Sequence, residues 1–375
     1  MFKPSVAPVR YAITGLGTRA HKLYLPYLTD PEVIGRGRLV AMADVDPHRL
    51  AEASGRWPLP GFCTGDVRPM LEQMHPDVLI VTTPDYVHGA QIEAALDAGT
   101  AVLTEKPMTV DARQASAVVS AQRRSGAVVQ VAHNLRYLNL HEEIKRLLGS
   151  GVLGEITGIF LSYRLAAEHG RSYFTRWHRQ KWASGGLQVT KSCHHLDLCN
   201  WWLGEYPTEV VGWTRRKHYR GRSSPWPVTD EVPEDADIDD TIDAVIRYPT
   251  GVLVHYSLSA RCAWEGYTLT IQGTKGELSA RYEIRDADGA PVQTDYELEV
   301  NLRGRPRRTI VVPREPGTHS GADARMLAKV LEPKTDANAA GAIDGAYAVA
   351  TGEALTRSAA TGVPSRIDEM LELDG

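Results

Sequence analysis

A glycine-rich turn near the amino terminus could bind the phosphates of a dinucleotide. The segment G-L-G-T-R-A at 15–20 follows the apolar run Val9–Thr14 and fits the pattern G-x-G-x-x-G/A. Gly15 permits a tight turn, Gly17 lets a pyrophosphate approach the backbone, and Ala20 lets a helix pack on the strand. The helix start offers free N–H groups to phosphate. The predicted cofactor contacts here are Gly15, Gly17, Thr18 and Ala20.

An acidic residue ends the second predicted strand, where a dinucleotide-binding unit needs one. Asp44 lies 24 residues after Ala20, close to the expected interval. A carboxylate there accepts hydrogen bonds from both ribose hydroxyls and repels a 2′-phosphate, which favours NAD over NADP. The alternative is a chance glycine turn with a surface aspartate. The strand before the turn and the position of Asp44 favour an NAD site.

Further segments give the chain a resemblance to a known family. They are T-T-P-D-Y-V-H at 82–88, E-K-P at 105–107, N-L-R-Y at 134–137, H-H-L-D at 194–197 and G-T-K-G-E-L at 273–278. With the glycine turn, they closely resemble the glucose–fructose oxidoreductase/inositol dehydrogenase (Gfo/Idh/MocA) family over nearly the whole chain. The resemblance implies an N-terminal Rossmann domain and a C-terminal α/β domain, whose open sheet commonly forms subunit interfaces.

The resemblance also implies which residues contact cofactor and substrate. Lys106 would sit between nicotinamide and substrate, where it can hydrogen-bond the reacting hydroxyl. The other implied cofactor contacts are Thr82, Pro84, His88 and Glu105, and the implied substrate contacts are Arg136 and Tyr137.

A lysine at this position suits the oxidation of an alcohol. Removal of a hydride also releases a proton, so a base or relay must lie within hydrogen-bond reach. Desolvation and nearby positive charge both lower a lysine pKa toward neutrality, and we expect this for Lys106. The alternative is a surface lysine after a strand. The carboxyl ends of strands are where α/β sheets bind ligands, which favours the functional interpretation.

The chain departs from the family pattern four residues before His194. Many members have an acidic residue there, whereas this chain has Thr190, followed by Lys191. The usual Lys/Asp/His trio therefore becomes Lys106, Lys191 and His194, and any of the three could accept the proton. In a helix, Lys191 and Asp197 would each share a face with His194. His194 could instead be a structural histidine, and Asp197 a substrate contact or a supporting residue.

The basic segment 164–195 contains groups that could bind a charged sugar. It has six lysines and arginines, four histidines and one acid, with tryptophan and tyrosine among them. Aromatic rings stack on sugar faces, and arginine binds carboxylate, sulfonate or phosphate. The candidate substrate contacts are Arg164, Arg176, Trp177 and His178. The alternative, which we favour, is a solvated loop paired with the acidic run Glu231–Asp243; single-stranded nucleic acid fits the acidic net charge poorly.

The elements that must position these residues alternate in the first third of the chain. Strands are predicted at Val9–Thr14, Leu39–Asp44, Val78–Thr82, Ala101–Leu103 and Val128–Ala132, and helices at Ile92–Ala98 and Thr109–Ser125, the latter capped by Thr109. This alternation indicates right-handed βαβ units and a parallel sheet. The predicted fold class is α/β, with a doubly wound Rossmann domain over residues 1–135.

Residues 136–375 are expected to form an α+β domain with a large, open, mostly antiparallel sheet. A helix is predicted at Leu140–Leu148, and strands at Ile156–Leu165, Glu209–Arg215, Thr241–Tyr248, Val252–Ala260, Tyr267–Gln272 and Leu298–Leu302. One helix is inserted near Gly186–Leu203, and 221–239 is a predicted loop. Helices return at Ala322–Leu331 and Ala342–Ser358, and the last is expected to pack back on the Rossmann domain.

Composition and charge exclude several classes of protein. A formal net charge of −4 argues against a general nucleic-acid binder, and apolar runs such as Val78–Val81 are too short to span a bilayer. We expect no secretory signal, and the four cysteines form no C-x-x-C pair, so a cytoplasmic protein is expected. A zinc site around Cys193, His194, His195 and Cys199 fits no standard spacing, so no metal is expected.

Three functions fit these residues. The first is an NAD-dependent dehydrogenase that oxidises a ring hydroxyl of a sugar, sugar acid or cyclitol, neutral or anionic. The second keeps the hydride step but hydrolyses a charged glycoside, sulfonated or uronic, without net redox change, through oxidation at C3, elimination, water addition and re-reduction. The third is a non-catalytic NAD sensor, which the presence of both Lys106 and His194 disfavours. A homodimer or homotetramer is expected.

Overall fold

The computed structural model describes residues 8–30, 37–57, 62–220, 232–331 and 336–373. Its first sheet contains β1 (Val9–Thr14), β2 (Gly37–Ala43), β3 (Phe62–Thr64), β4 (Val78–Val81), β5 (Ala101–Thr104), β6 (Val129–Val131) and β15 (Ala340–Gly341). The order is β15-β6-β5-β4-β1-β2-β3, and all neighbours are parallel except β15 and β6. Apart from β15, this is the strand order of a Rossmann sheet, which confirms the predicted fold class.

Helices of the first domain follow its strands. They are α1 (Leu25–Leu28), preceded by a π-helical turn at Ala20–Tyr24, then α2 (Pro47–Arg56), α3 (Val67–Met74), α4 (His88–Asp97) and α5 (Ala112–Ser125). Asp46, Asp66 and Asp111 cap α2, α3 and α5, because each side chain accepts a first-turn backbone N–H. Thr109 was the predicted cap of α5, and this prediction is wrong: its hydroxyl donates to the carbonyl of Asp111 instead.

The second sheet is larger and mixed. It contains β7 (Ile156–Ala166), β8 (Glu209–Arg215), β9 (Thr241–Arg247), β10 (Leu253–Cys262), β11 (Glu265–Gly273), β12 (Gly276–Arg285), β13 (Tyr296–Leu302), β14 (Arg308–Val312) and β16 (Ser365–Arg366). The order is β14-β13-β12-β11-β7-β10-β9-β8-β16, and only β7 and β10 are parallel neighbours among the described strands. The predicted open, mostly antiparallel sheet is confirmed. Strands β12 and β14 were not predicted from the sequence.

Helices of the second domain lie between and after these strands. They are α6 (Asn139–Gly149), α7 (Ala167–Thr175), α8 (Lys181–Ser184), α9 (Leu187–Thr190), α10 (Cys193–Leu203), α11 (Ala322–Val330) and α12 (Ala342–Thr361). The single helix predicted near Gly186–Leu203 is wrong, because the chain breaks between α9 and α10. Of the loop predicted at 221–239, residues 221–231 lie outside the described chain, and 232–239 form no helix or strand.

The last long helix joins the two domains. Glycine allows α12 a close approach on both sides: a Cβ at Gly345 would lie 2.9 Å from Val131 of β6, and one at Gly352 would collide with the carbonyl of Gln188 in α9. Glu353 accepts a hydrogen bond of 2.6 Å from the backbone N–H of Ala112, at the start of α5. These contacts fix the first sheet against the segment that carries the second half of the site.

One face of the second sheet is left open. Along β7, Leu161, Tyr163 and Leu165 are buried, whereas Phe160 on the other face is 41% exposed. Trp213 on β8 is also exposed on that face, 58%. Apolar residues on an uncovered sheet face are typical of an interaction surface. Among the described residues, no helix is long and apolar enough to cross a membrane.

Candidate active site

The glycine turn after β1 lies against the turn after β4. Gly15 has φ +83°, and a Cβ there would lie 2.5 Å from the backbone nitrogen of Thr83, so only glycine permits this approach. The Thr82 hydroxyl donates to the Gly15 carbonyl, which fastens the two turns together. A Cβ on Gly17 would meet nothing within 4 Å, so space remains beside this backbone for a pyrophosphate. Thr18 is exposed where the helix starts.

Asp44 is fixed at the end of β2 beside the glycine turn. It is 8% exposed and accepts hydrogen bonds from the backbone N–H groups of Leu16 at 2.6 Å and Asp46 at 2.8 Å. Each carboxylate oxygen keeps lone-pair capacity for a ribose hydroxyl. Ala20 is fully buried, as helix packing requires. The space at Gly17 and the carboxylate of Asp44 therefore fit NAD.

Glu105 is held by the protein rather than left open to a ligand. It accepts from Arg19 Nε at 2.6 Å and from the Tyr24 hydroxyl at 2.8 Å. Burial opposes its charge, but Arg19 outweighs burial and lowers the pKa of Glu105. The same guanidinium binds Asp323 of α11 with both terminal nitrogens, at 3.0 and 3.1 Å. Glu105 thus ties the first helix and α11 to the loop that carries Lys106, and this geometry argues against a cofactor contact.

His88 joins the two loops that flank the cofactor side of the site. Its ring nitrogens lie 2.8 Å from the carbonyl of Pro107 and 2.9 Å from the carbonyl of Thr83. Both contacts are with acceptors, so only an imidazolium could donate to both at once. The geometry gives His88 a structural role between the segments 82–88 and 105–107. Pro84 precedes the 3-10 turn Asp85–Val87 in the first of these segments.

Lys106 follows β5 and reaches across to the second domain. Its Nζ donates to the carbonyl of Thr190 at 3.1 Å, at the end of α9. Burial alone would lower the pKa of Lys106, but Tyr173, Cys193 and the nearby carboxylates outweigh it and raise the pKa. The expected lowering of this pKa is therefore wrong for the chain by itself, because the acidic groups together outweigh burial.

A buried carboxyl that the sequence did not single out lies beside this lysine. Asp85, 7% exposed, accepts a hydrogen bond of 2.7 Å from the Thr190 hydroxyl. Burial raises the pKa of Asp85 to about 6, against the opposing charges of His88 and Lys106. The signal that could have found it is its position shortly after the parallel strand β4, at the carboxyl edge of the sheet where ligand-binding side chains collect.

Lys191 lies in the break between α9 and α10. Its Nζ lies 4.0 Å from Glu265 Oε1 and 4.9 Å from the centroid of the Tyr163 ring. Burial, helped by the charge of Lys106 and opposed by Glu265, lowers the pKa of Lys191 to about 8. Part of the population is therefore a neutral amine at physiological pH, which can accept a proton.

Glu265 was missed by sequence reasoning and is aimed inward by an irregularity in β11. The pairing of β11 with β12 shifts register between Glu265 and Gly266, and Gly266 has φ +145°. Such a bulge redirects a side chain, and glycine inside a strand is its sequence signal. Glu265 accepts from Tyr163 at 3.0 Å and contacts His169 Nδ1 at 2.8 Å. The His169 side chain is 44% exposed, so this group of residues extends from Lys191 to solvent.

His194 is buried in the same pocket. It is 8% exposed, and its Nδ1 has no hydrogen-bond partner within the described part of the chain. Burial and then the charges of Lys106 and Lys191 lower its pKa well below the ordinary value. His194 is therefore neutral at physiological pH and can hydrogen-bond a substrate hydroxyl, but it is a weaker proton acceptor than a neutral lysine. His195 packs elsewhere, against Tyr163 and Tyr256.

Several predicted substrate contacts lie outside this pocket. Arg136 binds Asp197 through two hydrogen bonds, of 2.8 and 2.6 Å, and also binds Asp344 at 2.9 Å. Tyr137 is only 3% exposed in the adjoining turn. Arg136 and Asp197 are therefore committed to a buried ion-pair network, and Tyr137 is itself buried, so the geometry argues against substrate binding by these three residues. Arg164 alternates with the buried Tyr163 and lies on the opposite, open face of β7.

Aromatic rings from both domains meet at the mouth of the pocket. Tyr86 lies 5.9 Å from Trp177 and 5.1 Å from Trp182, which is 64% exposed. Trp177 stacks on His178 at 3.6 Å. Burial and the charge of Lys106 lower the pKa of His178 to about 3, so this ring is a neutral wall of the pocket. The geometry thus brings Trp177 and His178 to the site, while Arg176 is exposed beside them.

The basic segment is partly neutralised by the acidic run, as the favoured alternative expects. Arg179 binds both oxygens of Asp235, at 2.7 and 2.8 Å. The backbone N–H of Lys181 donates to Asp237 at 2.6 Å. No cluster of three or more histidine, cysteine or acidic residues that could hold a metal occurs in the described chain.

The Rossmann sheet, the open glycine turn, Asp44 and the buried lysines together define a nicotinamide-dependent oxidoreductase. A family model described as "Oxidoreductase family, NAD-binding Rossmann fold" matches residues 9–133. A second, "Oxidoreductase family, C-terminal alpha/beta domain", matches residues 145–367. The chain therefore belongs to the Gfo/Idh/MocA oxidoreductase family, which confirms the resemblance, and NAD is its cofactor.

Individual relatives are distant but cover most of the chain. The putative oxidoreductase YteT of Bacillus subtilis (strain 168) is 30% identical over 96% of this chain and 98% of its own length. The 1,5-anhydro-D-fructose reductase of Ensifer adhaerens is 25% identical over 78% of this chain and 80% of its own. A solved levoglucosan dehydrogenase in complex with NADH has a TM-score of 0.76 at 20% identity, covering 96% of this chain and 99% of that one. At 20% identity, the similarity to this solved structure shows a shared fold alone.

Proposed function

We propose that this enzyme transfers a hydride between NAD and a ring hydroxyl of a sugar or cyclitol. The observation that carries the proposal is the proximity of Lys106, Lys191 and His194, which are buried and whose charges act on one another. His88 links the loop of Lys106 to the turn that packs against Gly15. Two relatives named above, 1,5-anhydro-D-fructose reductase and levoglucosan dehydrogenase, have names that specify sugars. A polyol fits a pocket with several separate hydrogen-bonding groups.

The chain's own residues orient the substrate and handle its proton. When bound, NAD supplies the hydride acceptor. Lys106 hydrogen-bonds the reacting hydroxyl, and its base form, or that of Lys191, takes the hydroxyl proton as the carbon is oxidised. His194, neutral and without a partner among the described residues, orients a neighbouring hydroxyl. Tyr173 and His178 border Lys106 and exclude water from the reacting atoms.

The charges of the site favour a neutral substrate over an anionic one. Lys191 faces Glu265, and Lys106 lies near Asp85, so each lysine already has an acidic neighbour. Arg179 is paired with Asp235. An anionic sugar would add a second negative charge beside these carboxylates, which costs free energy in a buried pocket. The exposed rings of Tyr86 and Trp182 can instead stack on a neutral sugar face.

A spectroscopic assay tests this function directly. The full-length protein is incubated with NAD and a panel of neutral sugars, sugar acids, cyclitols and aryl glycosides, while NADH absorbance and aglycone release are followed together. NADH that accumulates in proportion to an oxidised sugar supports the dehydrogenase. Absence of both signals across the panel would contradict it. Lys106→Ala should abolish the signal while NAD still binds, and Lys275→Ala, which removes an exposed hairpin lysine, should leave the signal unchanged.

A second candidate is the redox-neutral hydrolysis of a glycoside. One observation favours it: Lys191 with Glu265 and His169 is a second acid–base group, separate from Lys106. Oxidation at C3 acidifies the neighbouring C–H, and elimination of the aglycone needs a base for that proton. In the same assay, NAD-dependent aglycone release without NADH accumulation would establish this route. It would also replace the simple dehydrogenase.

The assembly and location of the enzyme remain proposals as well. The open sheet face, with Phe160, Trp213 and Leu253 exposed on it, supports a homodimer or homotetramer. Light scattering after size-exclusion chromatography tests this, and Trp213→Glu should dissociate the assembly if this face is the interface. All four cysteines lie within the described residues and are unpaired, which supports a reducing, cytoplasmic location.

A further inference from the structure

The side chain of Asp85 and the ammonium of Lys106 are joined through a single residue of the other domain. Thr190 donates its hydroxyl to Asp85 Oδ2 at 2.7 Å and accepts Lys106 Nζ at its carbonyl at 3.1 Å. Thr190 itself is 1% exposed, and its backbone N–H donates to the carbonyl of Gly186, the residue before α9. The carboxylate and the lysine therefore share one rigid connector.

The loop that carries Asp85 is held in place independently of any ligand. Asp85 begins the 3-10 turn Asp85–Val87 directly after Pro84, whose fixed φ restricts the approach to the turn. Three residues later, His88 contacts the carbonyls of Thr83 and Pro107. Because Pro107 follows Lys106, the carboxylate and the lysine are positioned by the same pair of loops.

We propose that Asp85 is a positioning residue that, anchored by Thr190, stabilises the protonated form of Lys106. This inference rests on the proposed role of Lys106 in moving the hydroxyl proton. The hydroxyl oxygen loses its proton as Lys106 gains it, so an ammonium forms where an amine was. A carboxylate beside that nitrogen stabilises the ammonium that the transfer forms, and it therefore favours proton transfer in the oxidising direction.

The other acidic groups near Lys106 are less suited than Asp85 to stabilise its ammonium. The titratable groups that interact with this lysine are Asp85, Glu105, Tyr173, Cys193, Lys191, His133, His169, His178, His194 and His195. Burial raises the pKa of Tyr173 and of Cys193 to about 12, so neither is an anion at neutral pH. Glu105 is ionised but already paired with Arg19 at 2.6 Å. Asp85 is thus the acidic neighbour of Lys106 that has no arginine partner among the described residues.

The sign of the expected effect follows from charge alone. Asp85 as a carboxylate favours the ammonium of Lys106, and Asp85→Asn removes that charge while keeping the shape and the hydrogen bond from Thr190. The titration midpoint of Lys106 should therefore fall. Thr190→Val should lower it less, because Asp85 stays ionised at the pH where Lys106 titrates and loses only the hydrogen bond that anchors its carboxylate.

Direct titration of the lysine tests this without any substrate. The full chain is reductively methylated with ¹³C-formaldehyde, and the dimethyl-lysine signal absent from Lys106→Arg is followed by NMR against pH. We expect Asp85→Asn to lower the midpoint by about 1–2 pH units. Asp97→Asn, an equal charge change on the exposed end of α4, should not move it. An unchanged midpoint in Asp85→Asn, with NAD still bound at wild-type affinity, would overturn the proposal.

A charge-swap variant keeps the test decisive if the single variant is unstable. Thr190 Oγ1 and Asp85 Oδ2 lie within hydrogen-bond distance, so the double variant Asp85→Asn/Thr190→Asp returns a carboxylate to nearly the same place. Its midpoint should rise back toward the wild-type value, and failure to do so contradicts the proposal. The acid limb of sugar oxidation should move with the NMR midpoint. If the midpoint shifts but no sugar is oxidised, the proposed function fails while the positioning role stands.

Discussion

The two buried lysines of the site lie in surroundings that act on them in opposite directions. Lys106, from the Rossmann domain, has its pKa raised because nearby acidic groups outweigh burial. Lys191, from the second domain, has its pKa lowered to about 8 because burial outweighs Glu265. At neutral pH Lys106 is therefore a charged donor, whereas Lys191 is partly a neutral acceptor. A lysine that matches a family position is therefore not identified as the base by that match alone.

Lys106→Met should have the largest effect of any change to this pair. Removing a group that contacts the reacting hydroxyl should lower kcat/KM for sugar oxidation by about 10³-fold. NAD binding should persist, since Gly17 and Asp44 are separate from the lysine. Steady-state rates and NAD titration check both parts. Activity within a few-fold of wild type would mean that Lys191, not Lys106, serves the reacting hydroxyl.

Lys191→Met should have a smaller effect on simple oxidation and a different pH signature. Methionine preserves the packing against Tyr163 but removes the partly neutral amine, so we expect a loss of about 10²-fold. If Lys191 is the base, the rate rises with pH through about 8 in the wild type, and this limb should disappear in the variant. A limb that stays unchanged would exclude Lys191 as the group that controls it.

The two lysines also mark which half of the site could be predicted from the sequence and which half could not. Lys106 directly follows a parallel strand, and the carboxyl ends of such strands meet at one edge of the sheet. The glycine turn and Asp44 were therefore found from local patterns, whereas the role of Lys106 was implied by the family resemblance and supported by its place after a strand. These patterns depend on residues close together in the chain.

The second half of the site depends on long-range pairing. Glu265 reaches Lys191 only because β11 shifts register at Gly266, and Asp85 reaches Thr190 across the domain junction. The family resemblance implied that Arg136 contacts the substrate. The structure commits it to Asp197 and Asp344, which lie 61 and 208 residues away in the chain. Partners at such separations leave no local signal.

Glu265→Gln should show which of the two lysines is the base, through a shift in the pH dependence of the rate. The carboxylate of Glu265 favours protonated Lys191, so its removal should lower the pKa of Lys191 further below about 8. An acid limb controlled by Lys191 would then move to lower pH by about one unit. Asp85→Asn is the matched variant, because it removes the carboxylate near Lys106 and should likewise lower the pKa of that lysine. If Lys191 is the base, the acid limb should shift in Glu265→Gln and stay in place in Asp85→Asn, and if Lys106 is the base, the reverse should hold. Equal shifts in both variants would contradict a single base.

His169→Asn should have the smallest effect, and it tests whether the outer end of this group matters to Lys191. His169 contacts Glu265 at 2.8 Å, but burial lowers its pKa, so it is a neutral partner at physiological pH and contributes no charge. Glu265 keeps its hydrogen bond from Tyr163 at 3.0 Å, which holds the carboxylate beside Lys191. We therefore expect the acid limb to move by less than about half a unit and the rate by less than about threefold. A shift as large as that of Glu265→Gln would show that the exposed histidine, rather than the bulge in β11, fixes Glu265 against the lysine.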